Sequence, residues 1–412
     1  MTRRAVITGL GVVAPNGIGT EAFWAATRAG ISGIKPITRF DASKYSCRLG
    51  GQVDGFEATD YVDQRLIVQT DRWTWMGLAA AGMALKDAGF TTPGADPYKV
   101  GVITSSSSGG NEFGQREIQS LWSKGPIFVG AYQSIAWFYA ATTGQIAIRY
   151  GLKGPCGVVI SEGAGGLDAL AHSRRNIHRG VDAVVSGGTE APLAPYVFAC
   201  QLKTRSLSAE TDPSRAYRPF DRLANGYVPG EGGAMFLVEE LSHAQPRGAR
   251  QIYAEILGHA STQDGYHHTR LAPDARQYAR AMTLALRNSA VSPEEVDVIF
   301  ADAAGTPEGD KQEVAALQEV FGAHASKVPV TAPKSMTGRL YAGGASLDVA
   351  AAILAMRDGT IPPIANLAEP ASNGSLDFVT GQERRVPVRT ALVAARGYGG
   401  FNSALVLRKW TD

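Results

Sequence analysis

Short apolar runs alternate with longer segments of helical periodicity along most of the chain. The runs are rich in valine, isoleucine and alanine, which is typical of strands buried on both faces. Between several of them, apolar residues recur every three or four positions and predict helices. The pattern therefore predicts an α/β fold. Strands are expected at residues 100–104, 158–160, 182–186, 235–239, 252–257, 296–300, 388–394 and 404–407, and helices at 70–90, 278–287 and 311–321, with another closing at 353–356.

Residues 154–172, GPCGVVISEGAGGLDALAH, combine a short strand, a turn of small residues and the start of a helix. Many enzymes place a nucleophile at such a turn, because the helix N-terminus favours developing negative charge and small residues let a substrate reach the backbone. Here the turn at 161–164 reads Ser-Glu-Gly-Ala and holds no cysteine. The segment has the form of an active-site turn without an obvious nucleophile.

The two halves of the chain look alike. Each opens with a strand, alternates strands with helices and carries a glycine-rich strand-to-helix turn, at residues 161–166 and 335–344. A Pro-Arg-Gly turn at 246–248 marks the expected boundary. We therefore predict a duplicated α/β unit with domains at residues 1–250 and 251–412.

Composition and charge exclude several classes of function. The 412 residues carry 40 Lys and Arg against 38 Asp and Glu, a net charge of +2, so no polyanion or nucleic-acid partner is expected. No window approaches the length of a membrane span, and the first residues resemble a strand rather than a signal peptide. The cysteines are odd in number and widely spaced, which indicates a reducing compartment such as the cytoplasm and no disulfide framework. They are Cys47, Cys156 and Cys200, of which Cys156 enters the strand before the turn and is best interpreted as a buried thiol.

A glycine motif near the start matches a dinucleotide-binding pattern but fails its context. Residues 9–14, Gly-Leu-Gly-Val-Val-Ala, fit G-x-G-x-x-A. A helix must open at these glycines, and Pro-Asn-Gly at 15–17 interrupts it; no strand ending in an acidic residue follows. We reject a nucleotide site here.

Residues 111–150 are unusually aromatic. Ile118 and Trp122 belong to one apolar patch, and Tyr132, Ile135 and Tyr139 lie at helical spacing beside further aromatic residues. Such a segment is either core or a subunit interface, and we favour the interface.

Several motifs together resemble the β-ketoacyl synthases. In that family a Gly-Pro, a strand, a reactive cysteine and Gly-Leu-Asp-Ala follow one another, and this alignment puts Gly163 at the cysteine position. The family's two active-site histidines align with Asp302, in Ala-Asp-Ala-Ala-Gly-Thr-Pro, and with Arg339, in Lys-Ser-Met-Thr-Gly-Arg. A glycine loop at 397–402, Arg-Pro-Phe-Asp at 218–221 and Gly-Glu-Gly-Gly at 230–233 extend the resemblance over nearly the whole chain.

Condensation in this family needs a cysteine thiolate and two neutral histidines that donate hydrogen bonds to a forming enolate. Gly163 cannot be acylated, ionised Asp302 would repel the enolate, and Arg339 has a different shape and a fixed charge. With both histidine positions flanking one pocket, we expect Arg339, Asp302 and Glu162 to close that pocket with an internal ion pair. The chain is therefore not expected to condense anything alone.

These changes are similar to those of the chain length factors, the ketosynthase β subunits of type II polyketide synthases. One difference is that members usually carry glutamine where this chain has Gly163. The resemblance implies a thiolase-like fold of five αβαβα layers and a heterodimer with a catalytic ketosynthase α subunit. The growing polyketide chain would extend in a tunnel at the shared interface. It also implies an acyl carrier protein that carries 4′-phosphopantetheine and docks mainly on the partner, with no cofactor or metal on this chain.

Chain length in this family is attributed to side chains that narrow the tunnel. Alignment places four residues at gate positions: Asn111, Gly114, Ile118 and Tyr196. Gly114 is alternatively a helix irregularity, and Tyr196 a packed aromatic residue. Because Gly114 has no side chain and Asn111 and Ile118 are smaller than aromatic residues, we expect a deep tunnel and a mid-to-long product, unless Tyr196 caps it.

Two other functions compete with this interpretation. One is an active thiolase-class acyltransferase or decarboxylase that uses Cys156, Ser161 or Glu162. The other is a stand-alone binding protein that holds acyl groups in an inactive pocket. A chain length factor should copurify one-to-one with a catalytic subunit, whereas the alternatives should be stable alone.

Overall fold

Two mixed β-sheets of the same topology frame the molecule in the computed structural model, which describes residues 3–372 and 374–411. The strands are β1 (Ala5–Ala14), β2 (Gly17–Ile18), β3 (Ile34–Pro36), β4 (Leu49–Gly51), β5 (Val100–Ser105), β6 (Cys156–Val159), β7 (Ala183–Glu190), β8 (Gly232–Glu240), β9 (Ala254–Gln263), β10 (Val298–Phe300), β11 (Pro329–Thr331), β12 (Thr360–Ile361), β13 (Asp377–Phe378), β14 (Arg384–Arg385), β15 (Thr390–Gly397) and β16 (Phe401–Lys409).

The helices separate and cover these sheets. They are α1 (Thr20–Arg28), α2 (Gln64–Gln69), α3 (Arg72–Asp87), α4 (Asn111–Lys124), α5 (Gln133–Ala136), α6 (Ala141–Tyr150), α7 (Gly165–His178), α8 (Pro195–Leu202), α9 (Pro213–Ala216), α10 (Leu241–Ala244), α11 (Arg276–Asn288), α12 (Pro307–Phe321) and α13 (Ala342–Asp358). Short 3₁₀ turns, among them Glu162–Ala164 and Pro333–Met336, complete the described part of the chain.

The strand orders show the duplication directly. Five strands of the first half run β6-β5-β7-β8-β1 and five of the second run β11-β10-β15-β16-β9. Numbered 1 to 5 in chain order within each set of five, both read 3-2-4-5-1, and β13 adds an edge strand next to β11. In each sheet the first two neighbouring pairs are parallel and the last two antiparallel. The sheets join where Val6 and Ile7 of β1 pair with Glu255 and Ala254 of β9. The domain boundary at residue 250 stays a prediction.

Five layers follow from where the helices pack. Helices α7 and α13 pack on each other between the sheets, and the largest apolar cluster is built from these helices and both sheets. Helix α3 covers the outer face of the first sheet, and α11 and α12 cover that of the second. Helix α13 is buried from Ala342 to Met356, because its small residues let it lie between two sheets. The predicted αβαβα fold class is confirmed.

Each central helix is entered through a strained residue. Glu162 precedes α7 with φ of 48°, and Tyr341 precedes α13 with φ of 47°. Non-glycine residues adopt this left-handed conformation at a cost and do so mostly at functional turns. The two turns are equivalent in the duplicated halves, as the sequence predicts.

Three local predictions need comment. Cys156 is exposed rather than buried, because β6 is the edge strand of its sheet. Within residues 132–139, where the spacing predicts a helix, only Gln133–Ala136 is helical; the carbonyl of Trp137 accepts a hydrogen bond from the Gly110 amide instead of continuing the helix. Residues 9–14 lie in β1 as predicted, where a Cβ on Gly9 would stand 2.1 Å from the Ala84 carbonyl oxygen of α3.

Among residues 3–372 and 374–411, none of the helices has both the length and the apolar character that a bilayer crossing needs. Within the same residues, no cluster of three or more histidine, cysteine, aspartate or glutamate side chains is arranged to hold a metal ion.

Candidate functional site

The turn between β6 and α7 has no room for a nucleophile. Gly163 is buried at the start of the turn, and a Cβ built there would lie 2.4 Å from the carbonyl oxygen of Arg396. The same Cβ would stand 3.5 Å from Nη2 of Arg339. Real Cβ atoms do not approach a backbone oxygen so closely, so any side chain at this position must displace the backbone at Arg396. The position is closed as well as chemically silent.

The two positions that align with histidines form a buried ion pair. Arg339 Nη2 lies 3.0 Å from Asp302 Oδ1, and Arg339 Nη1 donates to the Asp302 carbonyl oxygen at 2.9 Å. Both side chains are largely withdrawn from solvent, with 3% of Asp302 and 18% of Arg339 exposed. The structure thus brings together the two residues that the sequence analysis expected to pair.

A third charged residue, Arg396, was not foreseen as part of the site. It is buried near the end of β15, and its Nε lies 3.1 Å from Asp302 Oδ2. Its backbone amide donates to Asp302 Oδ1 at 2.9 Å. Burial opposes ionisation of Asp302, but Arg339, Arg396 and Lys334 outweigh it and hold the pKa of this carboxyl well below its usual range. An arginine in an otherwise apolar strand, directly before the glycine loop, was the available signal.

Glu313 of α12 is the fourth member of the charged cluster and contacts the backbone at Asp302 and the side chain of Arg396. Its carboxylate accepts hydrogen bonds from the Asp302 and Ala303 amides, both at 2.7 Å, and from the Tyr278 hydroxyl at 2.8 Å. Nη2 of Arg396 lies 3.5 Å from it. Every charge in the cluster therefore faces an opposite charge or several donors, which is how buried ions are tolerated.

Glu162 ties the turn to the glycine loop instead of joining the ion pair. Its carboxylate accepts hydrogen bonds from the amides of Gly163, at 2.6 Å, and Tyr398, at 2.7 Å. Within the described residues no ion pair links it to Arg339, so the expectation that Glu162 shares that pair is wrong. Burial raises the pKa of Glu162 despite the nearby Arg339 charge.

A cavity of about 880 Å³ opens onto this cluster. Glu162, Asp302, Arg339 and Arg396 all line it, and Tyr398 of the glycine loop forms part of the wall. A substrate that reached the cluster would meet the guanidinium groups of Arg339 and Arg396, both already paired with Asp302. It would meet no thiol and no imidazole among the lining residues.

Ser161 is held behind the turn. Its hydroxyl donates to Asp168 Oδ2 at 2.5 Å, while Asp168 Oδ1 lies 2.9 Å from His259 Nε2 and 2.8 Å from Ser403 Oγ. Because Ser161 contacts the carboxylate rather than the imidazole, these residues do not form a serine–histidine–aspartate relay. They bind the turn to α7, β9 and β16, so Ser161 is a poor nucleophile.

Three of the predicted gate residues share helix α4. Asn111, Gly114 and Ile118 lie at positions i, i+3 and i+7, on one face of the helix. The Asn111 side chain donates to the Ser108 carbonyl oxygen, Gly114 is buried and Ile118 is half exposed. Tyr196 lies in the first turn of α8, where its amide donates to the Gln115 side chain of α4 at 2.9 Å. The four residues are therefore neighbours, and their gate role stays a prediction.

The space beside Gly114 is not open. A Cβ on Gly114 would stand 3.0 Å from Cδ1 of the Trp137 indole. The argument that a missing side chain deepens the tunnel is therefore wrong at this position, because another residue fills the place.

Two buried carboxylates from neighbouring elements hold the start of α4. Asp71 accepts a hydrogen bond from the Phe113 amide at 2.7 Å, and Glu190 accepts from the Ser108 amide at 3.2 Å and the Ser108 hydroxyl at 2.5 Å. Helix α4 needs them, since its N-cap is Gly110, which has no side chain to cap it. Burial raises the pKa of Asp71 to about 6 and that of Glu190 to about 7.

The segment from α4 to Phe138, just after α5, exposes a large apolar surface, which we call the aromatic face. Exposed apolar patches of this kind mark interaction surfaces in soluble proteins. Its exposed members are Ile118, Trp122, Ile127, Phe128, Val129, Tyr132, Ile135, Trp137 and Phe138.

Comparison with known families agrees with this geometry. The model of the β-ketoacyl synthase N-terminal domain matches residues 2–244, and that of the C-terminal domain matches residues 253–368. The chain belongs to the β-ketoacyl synthase family. Its changed cysteine and histidine positions are therefore departures from a family whose fold it keeps.

Individual relatives narrow the placement. The ketoacyl synthase beta subunit of the tetracenomycin polyketide synthase of Streptomyces glaucescens is 53% identical over 405 residues, which cover 98% of each chain. The structure of the ishigamide ketosynthase/chain length factor superposes with a TM-score of 0.93 at 29% identity and full coverage of both chains. The complex of the AntF acyl-carrier protein with the AntDE ketosynthase bound to a hexaketide gives 0.90 at 29% identity, also with full coverage. The predicted resemblance to the ketosynthase β subunits is confirmed.

Proposed function

We propose that this chain is the chain length factor of a type II polyketide synthase, a non-condensing subunit that pairs with a catalytic ketosynthase. The carrying observation is the closed site at Gly163, where the Arg396 carbonyl oxygen occupies the place of a nucleophile's side chain. Because this chain cannot be acylated at the turn, it supplies no thiolate to the complex and contributes a wall of the product tunnel instead.

The charged cluster argues against condensation by other residues of the same cavity. Condensation stabilises a forming enolate with hydrogen-bond donors that are free to reach it. In this chain Arg339 donates to Asp302 and to backbone oxygens, and Asp302 is itself an anion. At the former cysteine and histidine positions the cavity therefore lacks a nucleophile, and the donors of Arg339 are already occupied.

The partner in this proposal is a catalytic ketosynthase that packs on the aromatic face. A stable heterodimer needs a large apolar contact, and the aromatic face supplies side chains of the type that concentrate at such contacts. The polyketide would extend between the two subunits, along α4. An acyl carrier protein would deliver the units on its 4′-phosphopantetheine arm and dock mainly on the catalytic subunit.

The test combines copurification with acyl mapping. We expect the chain to copurify one-to-one with its ketosynthase and to be required for polyketide formation. After incubation with malonyl-carrier protein, mass spectrometry should find acyl groups on the partner's cysteine and none on this chain. In a Gly163→Cys variant the new thiol should stay unacylated and thermal stability should fall, by about 1–3 kcal/mol, because it must displace the Arg396 backbone.

A matched control uses a glycine with space around it. Gly144 lies on α6, and a Cβ there would meet nothing within 4 Å. Gly144→Cys should therefore leave stability and acylation unchanged. An acyl adduct on Ser161, Cys156 or Glu162 that turns over without the partner would overturn the proposal in favour of a thiolase-class acyltransferase or decarboxylase.

A further inference from the structure

Glycines at the start of α4 receive the segment that follows α5. A Cβ on Gly109 would lie 2.7 Å from the Trp137 carbonyl oxygen, and one on Gly110 would lie 2.0 Å from the Ala136 carbonyl oxygen. A Cβ on Gly114 would meet the Trp137 ring itself. Side chains at these positions are therefore incompatible with the present place of Trp137.

Trp137 is fixed in this place by its backbone. Its amide donates to the Gln133 carbonyl oxygen at 3.2 Å, and its own carbonyl accepts from the Gly110 amide, also at 3.2 Å. The indole packs against Tyr139, with ring centroids 5.9 Å apart. One edge of the ring thus touches α4, while 42% of the residue remains exposed at the aromatic face.

We propose that Trp137, rather than a residue of α4, is the side chain that limits the length of the polyketide. The inference rests on the proposed function, because it assumes that the product extends along α4. Gly114 of α4 has no side chain that could block a growing chain. The Trp137 indole packs against Gly114 and supplies that bulk instead. A wall of this kind is firm, since close-packed side chains yield little.

A different role for the same residue is an anchor of the heterodimer. Tryptophans at interfaces often carry much of the binding energy. The two roles make opposite predictions for truncation. If Trp137 limits product length, its truncation changes the product and leaves the complex intact. If Trp137 is an anchor, its truncation weakens the complex and leaves product length unchanged.

The experiment reconstitutes the pair with its carrier protein and measures product length, copurification and thermal stability. Trp137→Ala should lengthen the main product by one or more two-carbon units while the subunits still copurify. Trp137→Phe should give a smaller shift in the same direction. Tyr98→Ala is the control, because Tyr98 is an exposed aromatic residue outside both α4 and the aromatic face and should leave product length and copurification unchanged.

A size exchange keeps the test decisive even where truncation harms folding. Gly114→Trp alone should disturb assembly, since its side chain would enter the space of the Trp137 ring. Combined with Trp137→Gly, it should restore both assembly and the native product length. A merely structural role for Trp137 predicts no such recovery of length.

The outcomes separate this inference from the proposed function. If the pair forms and makes polyketide but Trp137→Ala and the size exchange leave product length unchanged, the inference fails alone. Loss of copurification in Trp137→Ala, with native length in the Trp137→Phe complex, would likewise identify an anchor and overturn it. If no ketosynthase pairs with the wild-type chain, the proposed function itself fails.

Discussion

Asp302 is the central charge of the closed site, because it lies between two guanidinium groups. Arg339 and Arg396 each bind one of its carboxylate oxygens, and Arg396 also approaches Glu313. The two sides of this arrangement are therefore unequal. Removing Asp302 leaves two buried cations close together, whereas removing Arg339 leaves Asp302 still paired with Arg396.

We predict that Asp302→Asn destabilises the protein more than Arg339→Met. Leaving buried charges without their partner costs about 3–5 kcal/mol, which is the expectation for Asp302→Asn. Arg339→Met loses hydrogen bonds to backbone oxygens but keeps one ion pair, so we expect about 1–2 kcal/mol. Thermal unfolding of the reconstituted complex measures both.

The control for this comparison is a surface ion pair of the same chemistry. Asp377 pairs with Arg384, and each keeps roughly a third of its side chain exposed. Asp377→Asn should cost no more than about 1 kcal/mol. If Asp302→Asn is as mild as this control, the charged cluster does not hold the site closed.

At the scale of single elements, helix α4 depends on its neighbours. Its N-cap, Gly110, offers no side chain, and Asp71 from the start of α3 and Glu190 from the end of β7 supply the missing acceptors. Glu190 also reaches a predicted gate residue in two steps, since the Ser108 carbonyl oxygen accepts a hydrogen bond from Asn111. The position of the helix is set from outside it.

Glu190→Gln should loosen the start of α4. The amide presents its own NH₂ donors to the donors of Ser107 and Ser108, so at least one buried group is left unpaired, at a cost of about 1–3 kcal/mol. We expect faster amide hydrogen exchange in residues 106–116 and unchanged exchange in α3. Asp71→Asn should speed exchange at the Phe113 amide and also at the start of α3, because the Asp71 side chain caps that helix through the Trp73 amide.

Asp221→Asn is a matched control for the exchange experiment. Asp221 is a buried carboxylate that accepts hydrogen bonds from the amides of Leu223, Ala368 and Glu369, away from α4. It should destabilise the protein without altering exchange in residues 106–116. Equal exchange changes in this control and in Glu190→Gln would show a global rather than a local effect.

The sequence predicts elements best where pattern and local chemistry agree. Both strand-to-helix turns and the final strand pair, β15 and β16, are found where hydrophobic runs meet glycine-rich turns. It fails at 132–139, where helical spacing is present but the Trp137 carbonyl binds Gly110 of another element. Likewise, no pattern along the chain indicates that β6 is an edge strand and that Cys156 is therefore exposed.

The same limit applies to the site. Motif alignment predicts that Gly163, Asp302 and Arg339 lie together, because each replaces a residue of known position in the family. In the structure Arg339 pairs with Asp302 and lies within 3.5 Å of a Cβ built on Gly163. Arg396 and Trp137 escape notice, since their roles depend on contacts between segments far apart in sequence: 396 with 302, and 137 with 114. Physical complementarity of this kind appears only once the chain is folded.

At the scale of the whole molecule, the fold buries several carboxyl groups for which burial outweighs the hydrogen bonds and positive charges that favour ionisation. Burial raises their pKa to between about 6 and 7, so in this range the folded chain binds more protons than the unfolded chain. Stability then falls as the pH rises. The groups are Asp71, Glu190, Asp310 and Asp348.

We predict that the thermal unfolding midpoint of the complex decreases between pH 5.5 and pH 8, and that Glu190→Gln flattens this decrease. With a folded pKa of about 7 against about 4.3 when unfolded, ionising Glu190 removes about 2 kcal/mol of stability between pH 5.5 and pH 8. Partial burial lowers the pKa values of His172 and His178, so these two groups add a weak increase of stability with pH. Comparing the variant with the wild type at both pH values cancels contributions from the partner subunit.

The control for this prediction is Asp221→Asn. Its pH dependence should match the wild type, because hydrogen bonds from backbone amides outweigh burial and keep the pKa of Asp221 below its usual value, outside the window. A wild-type midpoint that rises with pH would contradict the predicted decrease. An identical slope in Glu190→Gln would show that Glu190 is already ionised at pH 5.5 and that its four hydrogen-bond donors outweigh its burial.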